Sequence, residues 1–234
     1  MSAGNGLLFM RREKKYMLTA EQAAALAERL EPYTQKDAYG EYSICNVYYD
    51  SDDYQLIRDS LEKPKFKQKM RLRSYGIPNE NSTVFLELKK KYKGIVYKRR
   101  IKLPYSECMN YLEKGILPKE NGASFREIDF IKNHFHLKPK VYLAYDRTAL
   151  VANDDPSLRI TFDYNVRARS ENPTFDAGDY GVSVLSPDKK ILELKLGMAM
   201  PDWLVNILGE MKIYPASFSK YGTFYREHIV PKKD

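Results

Sequence analysis

This chain is dominated by short segments in which apolar and charged residues strictly alternate. In the clearest of them, the cationic residues Lys69, Arg71 and Arg73 alternate with apolar ones. Because a β-strand points successive side chains to opposite faces, such a segment has one cationic face and one apolar face. Guanidinium groups on neighbouring strands repel one another unless an anion neutralises them, so the pattern predicts a polyanion-binding sheet. The alternative is an ordinary solvated face with surplus charge. The same alternation of charged and apolar residues recurs at residues 85–91, 96–102, 158–163 and 191–196.

The order of the elements predicts an α+β fold. About eight strands, mostly joined by hairpins, are predicted, and the helical segments include capping boxes at Thr19 with Gln22 and at Ser124 with Glu127, and an N-cap at Ser51. Closing the sheet would remove its edges, and the charged faces would point inward because the apolar faces are needed to pack the helices. The prediction is an antiparallel eight-stranded β-barrel, or tunnel, with a polar, cation-lined lumen and peripheral helices, formed by residues 1–234 as a single domain.

Composition limits the class of protein. The chain has 39 Lys and Arg against 31 Asp and Glu, a net charge of +8, which favours acidic partners. Cys45 and Cys108 lack C-x-x-C spacing and the three histidines form no zinc motif, so a reduced, cytoplasmic protein is predicted. Since no apolar run approaches the ~20 residues of a membrane helix, no membrane insertion by this chain is predicted.

The chemistry available to the chain is also limited. Neither common glycine-rich phosphate-binding loop is present, so phosphate would have to be held by side chains. Glu13, Glu87 and Glu193 project from strand faces that are otherwise cationic. Each is either part of an internal ion pair or a ligand of a divalent cation bridged to substrate phosphates, and the sequence leaves both interpretations open.

An ordered set of motifs carries a family resemblance over about residues 9–225. The motifs are Glu13-Lys14-Lys15-Tyr16, Arg71-Leu72-Arg73-Ser74-Tyr75-Gly76, Leu86-Glu87-Leu88-Lys89, Tyr97-Lys98-Arg99-Arg100, Tyr145-Asp146-Arg147-Thr148, Leu158-Arg159-Ile160, Leu192-Glu193-Leu194-Lys195-Leu196 and Phe218-Ser219-Lys220. In this order they resemble the vacuolar transporter chaperone (VTC) domain of the triphosphate tunnel metalloenzymes. The chain departs from that pattern at two places: Arg11-Arg12-Glu13-Lys14-Lys15 stands where the superfamily has E-x-E-x-K, and Ser217 stands where the polymerases can carry a lysine.

The resemblance implies a polyphosphate polymerase that transfers the γ-phosphoryl of ATP onto a polyphosphate chain inside a basic tunnel, with Mn²⁺ or Mg²⁺ as cofactor. It implies catalytic, phosphate-binding cations at Lys15, Arg71, Arg73, Lys89, Lys98, Arg147 and Arg159. It also implies donors at Tyr145, Ser219 and Lys220 and a metal ligand at Glu193. The strand patterns add Arg100 and Lys195 as substrate-binding residues and Glu13 and Glu87 as further metal candidates. The cations Arg71, Arg73, Lys89, Lys98, Arg147, Arg159 and Lys195 are expected to converge with Glu193 on one cavity.

The resemblance names ATP and polyphosphate as partners. It also allows a separate membrane protein partner, with the domain at the inner face of the membrane. Two alternatives remain: a tunnel triphosphatase or nucleoside triphosphate hydrolase, and a non-catalytic module that binds polyphosphate or inositol phosphates. Nucleic acid is not expected as a partner, because the cationic faces carry few aromatic platforms for stacking bases.

Overall fold

The computed structural model describes residues 12–62, 65–93, 95–197 and 199–230. The strands are β1 (Arg12–Thr19), β2 (Thr34–Asp50), β3 (Phe66–Tyr75), β4 (Thr83–Tyr92), β5 (Ile95–Pro104), β6 (Lys138–Ala152), β7 (Arg159–Arg169), β8 (Val182–Ser183) and β9 (Lys189–Leu196). The helices are α1 (Ala20–Leu30), α2 (Gln55–Leu61), α3 (Tyr105–Lys114), α4 (Ala123–His134), α5 (Asp202–Glu210) and α6 (Lys220–Phe224), with a 3-10 turn at Glu31–Tyr33 and a π-helical turn at Tyr225–Ile229.

The sheet confirms the predicted α+β class with an antiparallel sheet and peripheral helices. Eight strands follow the order β1-β9-β7-β6-β2-β3-β4-β5, and the short strand β8 pairs with β7, so the described residues form a sheet of nine strands rather than the predicted eight. Among the described residues, this path starts at β1 and ends at β5, so the strand pairings themselves do not form a closed ring.

Two compact units divide the chain. The first unit takes the described residues of Met1–Glu41, Arg147–Tyr164 and Pro187–Phe218, and the second takes those of Tyr42–Asp146, Asn165–Ser186 and Ser219–Asp234. That the whole chain acts as one domain stays a prediction. In the part of the chain that the structure describes, no helix has the length and apolar character needed to cross a membrane.

Helices α1 and α5 cover the apolar strand face of the first unit. The predicted capping box of α1 is confirmed: the Gln22 amide donates to the Thr19 hydroxyl at 3.0 Å, and the Thr19 amide donates to the Gln22 side chain at 3.1 Å. Leu26 of α1 is fully buried in the same cluster as Ile160 and Leu194 of the sheet. Because these strand positions alternate with charged ones, the opposite face of the same strands is polar, as predicted.

In the second unit, helices α3 and α4 cover the apolar strand face. Leu72 and Leu86 on β3 and β4 are buried in one cluster with Cys108 of α3 and Ile128 of α4. The two cysteines of the chain are both buried and unpaired with each other. Each unit therefore buries its apolar strand face under helices and leaves the charged face on the other side.

Two of the predicted helix caps are wrong. Helix α2 begins at Gln55 rather than directly after Ser51, so Ser51 is not its N-cap residue. The Ser51 hydroxyl still accepts the Gln55 amide at 2.8 Å, and the buried carboxylate of Asp50 accepts the next two amides. Helix α4 begins one residue before Ser124 without a side-chain cap. Glu127 forms ion pairs with side chains of β4 and β5 instead, so its tertiary partners override the local capping pattern.

Candidate polyanion-binding site

On the polar face of the second unit, strand pairing places the charged residues in rows. Tyr48, Arg71, Glu87 and Arg100 lie opposite one another in a single row across β2, β3, β4 and β5. The next row on the same face consists of Lys69, Lys89 and Lys98. These side chains share a face because the rows are two residues apart along each strand. The predicted register of Arg71, Lys89, Lys98 and Arg100 is therefore confirmed.

Glu87 lies in the middle of these cations, and it is 1% exposed. Its Oε2 lies 2.7 Å from Nη2 of Arg71 and accepts a hydrogen bond from Nε of the same residue at 2.8 Å. Its Oε1 lies 2.7 Å from the Lys98 ammonium and 2.9 Å from Arg100 Nε. Arg73 Nε is 3.9 Å away. Burial opposes the charge of Glu87, but these cations outweigh it and hold the pKa of its carboxyl far below the ordinary value. We call these five residues the Glu87 cluster.

Two tyrosines extend the Glu87 cluster. The Arg71 guanidinium donates to the Tyr48 hydroxyl at 3.3 Å, and Arg73 donates to the Tyr145 hydroxyl at 3.4 Å. Burial alone would raise the pKa of Tyr48, but the charges of Arg71, Lys69 and Arg73 outweigh it and lower that pKa to about 8. The Tyr48 hydroxyl is therefore an acidic donor beside the guanidinium groups.

The start of helix α6 adds the predicted donors Ser219 and Lys220. The Ser219 hydroxyl caps the helix by accepting the Gly222 amide at 3.1 Å, and it also accepts from Lys69 Nζ at 3.3 Å. Its own proton is left to donate to an anion. The Lys220 ammonium lies 4.2 Å from the centre of the Tyr145 ring, so both predicted residues lie beside members of the cationic face.

Asp50 anchors helix α6 through Tyr221. The Tyr221 hydroxyl donates to the fully buried Asp50 carboxylate at 3.0 Å, and its ring stacks on Tyr48 with centroids 4.6 Å apart. The same carboxylate accepts the Leu56 and Ile57 amides of α2. Since a buried carboxylate needs several donors, this contact fixes the position of Tyr221, the residue next to Lys220 in the chain.

In the first unit, strand register produces a chequered arrangement of charges. Lys15 on β1 lies opposite Glu193 on β9, and Glu13 lies opposite Lys195. Arg159 on β7 lies on the other side of Lys195. The Lys15 ammonium is 3.6 Å from Glu13 and donates to the Phe218 carbonyl at 3.4 Å. Cations and carboxylates therefore alternate along and across β1 and β9, whereas two cations are neighbours across β9 and β7.

Arg147 is the most deeply held cation of the first unit. It forms two hydrogen bonds to the fully buried Asp163, at 2.6 and 2.8 Å, and lies 3.5 Å from a Glu193 oxygen. The other Glu193 oxygen is 3.8 Å from the Lys195 ammonium. Arg159 pairs with Asp37 at 3.1 Å. A bidentate guanidinium to carboxylate pair holds its geometry firmly, so Arg147 is preorganised.

Comparison with known proteins decides the family. The family model described as the VTC domain matches residues 10–227 of this chain. The chain belongs to the VTC domain family. The resemblance of its ordered motifs is thereby confirmed. A curated relative, subunit 4 of the vacuolar transporter chaperone complex of Schizosaccharomyces pombe, is 25% identical over 223 residues, which cover 76% of this VTC domain and 31% of the relative. The chain thus spans about a third of that protein.

Solved structures share the fold of this VTC domain. A candidate adenylate cyclase from Bacillus halodurans has a TM-score of 0.57 at 15% identity and covers 94% of this chain and 99% of its own. A candidate adenylyl cyclase from Hippeastrum, described as having a dominant triphosphatase activity, has a TM-score of 0.52 at 14% identity and covers 95% and 98%. At these identities the likeness concerns the fold alone.

The VTC domain can be tested for carboxylates that fit the expected divalent metal. Glu87 does not fit, because both of its oxygens are held by cations at 2.9 Å or less. Glu193 is buried, its ion-pair distances are longer, and Glu13 is its diagonal neighbour on the paired strand. No group of three potential metal-binding side chains occurs among the described residues, but Mg²⁺ bound to phosphates needs only one or two carboxylates.

The predicted site residues thus fall into two groups. Arg71, Arg73, Lys89, Lys98, Arg100, Glu87, Tyr145, Ser219 and Lys220 belong to the second unit, and Lys15, Glu13, Arg147, Arg159, Glu193 and Lys195 belong to the first. Their convergence on one cavity stays a prediction.

Sequence reasoning missed several members of these groups. Tyr48 and Asp163 occupy polar positions of alternating strands, so that signal could have found them. The Asp50 to Tyr221 contact had no such signal, because 171 positions separate the two residues.

Proposed function

We propose that this VTC domain is a polyphosphate polymerase, which transfers the γ-phosphoryl group of ATP onto the terminal phosphate of a polyphosphate chain. The observation that carries the proposal is the Glu87 cluster, in which four cations surround one carboxylate and leave a surplus of three positive charges. A surplus of this size on one sheet face is repulsive unless an anion of high charge density occupies it. Guanidinium forks suit phosphate oxygens in particular.

The residues present suit phosphoryl transfer between phosphates. The bond between the γ-phosphorus and the bridging oxygen of ATP breaks, ADP leaves, and a terminal oxygen of the acceptor forms the new bond to phosphorus. The acceptor oxygen is already ionised at neutral pH, so no general base is required. Arg71, Arg100 and Lys98 would orient the phosphates and neutralise charge on the equatorial oxygens.

The first unit would contribute the second set of contacts. Arg147, held by Asp163, and Arg159 would bind phosphate oxygens, and Lys15 would add a third cation. Glu193, with Glu13 beside it, would hold the divalent cation, which would supply neutralisation of phosphate charge. Mn²⁺ and Mg²⁺ both accept carboxylate oxygen ligands.

The partners follow from the same proposal. ATP and polyphosphate would be the substrates, and nucleic acid would not bind. The Schizosaccharomyces pombe relative is named as a subunit of a complex and is about three times as long as the matched region. We therefore propose that this domain works beside a separate membrane protein, on the cytoplasmic side of that membrane.

The decisive experiment is incubation with ATP and Mn²⁺ or Mg²⁺, with and without a short polyphosphate primer, followed by separation of the products on a gel. A metal-dependent ladder that is absent in Glu193→Gln is expected. Free phosphate released in step with ATP consumption and no ladder would instead identify a triphosphatase. Binding of polyphosphate with no ATP turnover would identify a non-catalytic module.

Neighbouring arginines on β5 provide a matched test of the phosphate-binding face. Arg100 pairs with Glu87 and stacks on Phe85, whereas Arg99 points to the other face and pairs with Glu127. Arg100→Ala should weaken tripolyphosphate binding by about 1.5–3 kcal/mol, the range for hydrogen bonds to charged groups, while Arg99→Ala should not. Calorimetric titration checks both variants, and equal losses would contradict the assignment.

A further inference from the structure

A cavity of about 500 Å³ lies in the second unit, between the sheet and the helices. Its floor is formed by Val47, Tyr49 and Leu72. These residues alternate along β2 and β3 with Tyr48 and Arg71, so the cavity lies on the opposite sheet face from the Glu87 cluster. The volume is within the usual range for small-molecule sites. Nothing in the phosphate chemistry uses it.

The walls of the cavity are apolar and partly aromatic. Helix α3 contributes Tyr105, Met109 and Leu112, and the segment before β8 contributes Phe175. The Tyr105 hydroxyl is already committed, because it donates to Asp176 at 3.1 Å. A flat apolar group fits such walls, since rings stack well against other rings.

One polar group in the cavity has no partner. Tyr49 is 5% exposed, and its hydroxyl forms no hydrogen bond with any residue that the structure describes. Burial raises the pKa of Tyr49, so the group stays a neutral phenol that can both donate and accept. The hydroxyl is not sealed in the core but is open to the cavity, so a ligand in the cavity that carries a hydrogen-bonding group can bind to it.

Two of the charged residues that line the cavity, one of each sign, lack an ion-pair partner among the described residues. Lys132 belongs to the last turn of α4, and Glu113 belongs to the last turn of α3. Among the described residues neither forms an ion pair, and the Lys132 ammonium lies over the face of Tyr111, 5.3 Å from the ring centroid. By contrast, Lys138, which also lines the cavity, is paired with Asp52 at 2.9 Å. The rim is therefore complementary to a zwitterion.

We propose that this cavity binds an aromatic zwitterion of the amino-acid type. The ring lies in the cavity and forms a hydrogen bond with the Tyr49 hydroxyl, the carboxylate faces Lys132, and the ammonium faces Glu113. The site is separate from the proposed polymerase chemistry, so it stands or falls on its own test.

Equilibrium dialysis of the full chain against labelled L-tryptophan tests the proposal. Saturable binding of one tryptophan per chain is expected, and saturating tripolyphosphate should leave it unchanged because the polyanion binds the other sheet face. Tryptamine lacks the carboxylate and N-acetyltryptophan lacks the ammonium, and each should bind about two- to fivefold more weakly, the range for exposed charge pairs. Blocking the indole N–H in 1-methyltryptophan should weaken binding about two- to tenfold.

Variants identify the cavity as the site. Leu112→Trp should fill it and abolish binding, and Tyr49→Phe should reproduce the loss seen with 1-methyltryptophan while the free protein stays at least as stable as wild type. Lys132→Gln should weaken tryptophan but not tryptamine, and Arg126→Gln on the same helix is the matched control. The proposal is overturned by absence of saturable binding to folded wild-type protein. Tryptophan binding that Tyr49→Phe and Lys132→Gln leave unchanged overturns it as well.

Discussion

The buried carboxylate of Glu87 offers the sharpest test of how the second unit is held together. In Glu87→Gln the side chain keeps its shape, but Arg71, Lys98 and Arg100 lose the charge that they surround at 2.7 to 2.9 Å. Breaking a buried ion pair from one side costs about 3–5 kcal/mol. At about 2–4 °C per kcal/mol for a chain of this size, the melting temperature should fall by about 6–20 °C.

Thermal melts followed by circular dichroism measure this fall, with and without tripolyphosphate. The anion should restore more of the melting temperature in Glu87→Gln than in wild type, because the surplus of cations is greater. Glu127→Gln is the matched control, since Glu127 also pairs with two cations but its side chain is 30% exposed, and exposed pairs contribute at most about 1 kcal/mol. If the two variants melt at the same temperature, the central role of Glu87 is refuted.

The same carboxylate should make stability depend on pH. The folded-state pKa of Glu87 lies far below its unfolded value of about 4.3, so its contribution is complete above that value and is lost as the pH falls toward the folded pKa. The difference in stability between wild type and Glu87→Gln should therefore shrink below about pH 4. A difference that stays constant down to strongly acidic pH would contradict this linkage.

Further tests concern other buried polar groups. Tripolyphosphate affinity should fall as the pH rises through about 8, because the Tyr48 phenolate then competes for Arg71; calorimetry should show no such fall in Tyr48→Phe. Tyr221→Phe removes one donor from Asp50 and should lower the unfolding free energy by about 1.5–3 kcal/mol, and an unchanged urea midpoint would contradict the anchor. Asp163→Asn should cost about 3–5 kcal/mol in urea unfolding because its arginine partner stays buried, and a loss below that of a surface pair would argue against preorganisation.

Much of the candidate site was predictable from the period of the strands. Alternation placed Arg71 and Arg100 on one face and Arg99 on the other, and the ion pairs follow that division. It could not choose between the two roles left open for Glu87 and Glu193. That choice depends on distances across several strands, which the spacing within a single strand does not contain.

The sequence by itself determined which residues share a face, because successive side chains of a strand point to opposite faces of the sheet. It also determined the family, because the motifs follow one another in a fixed order along the chain. Tertiary structure alone decided what each charged residue contacts. Glu87 becomes the centre of a cationic cluster only when β3, β4 and β5 pair in register, and Asp50 meets Tyr221 only when α6 packs beside α2. Such contacts join residues far apart in the chain, so local propensity does not encode them.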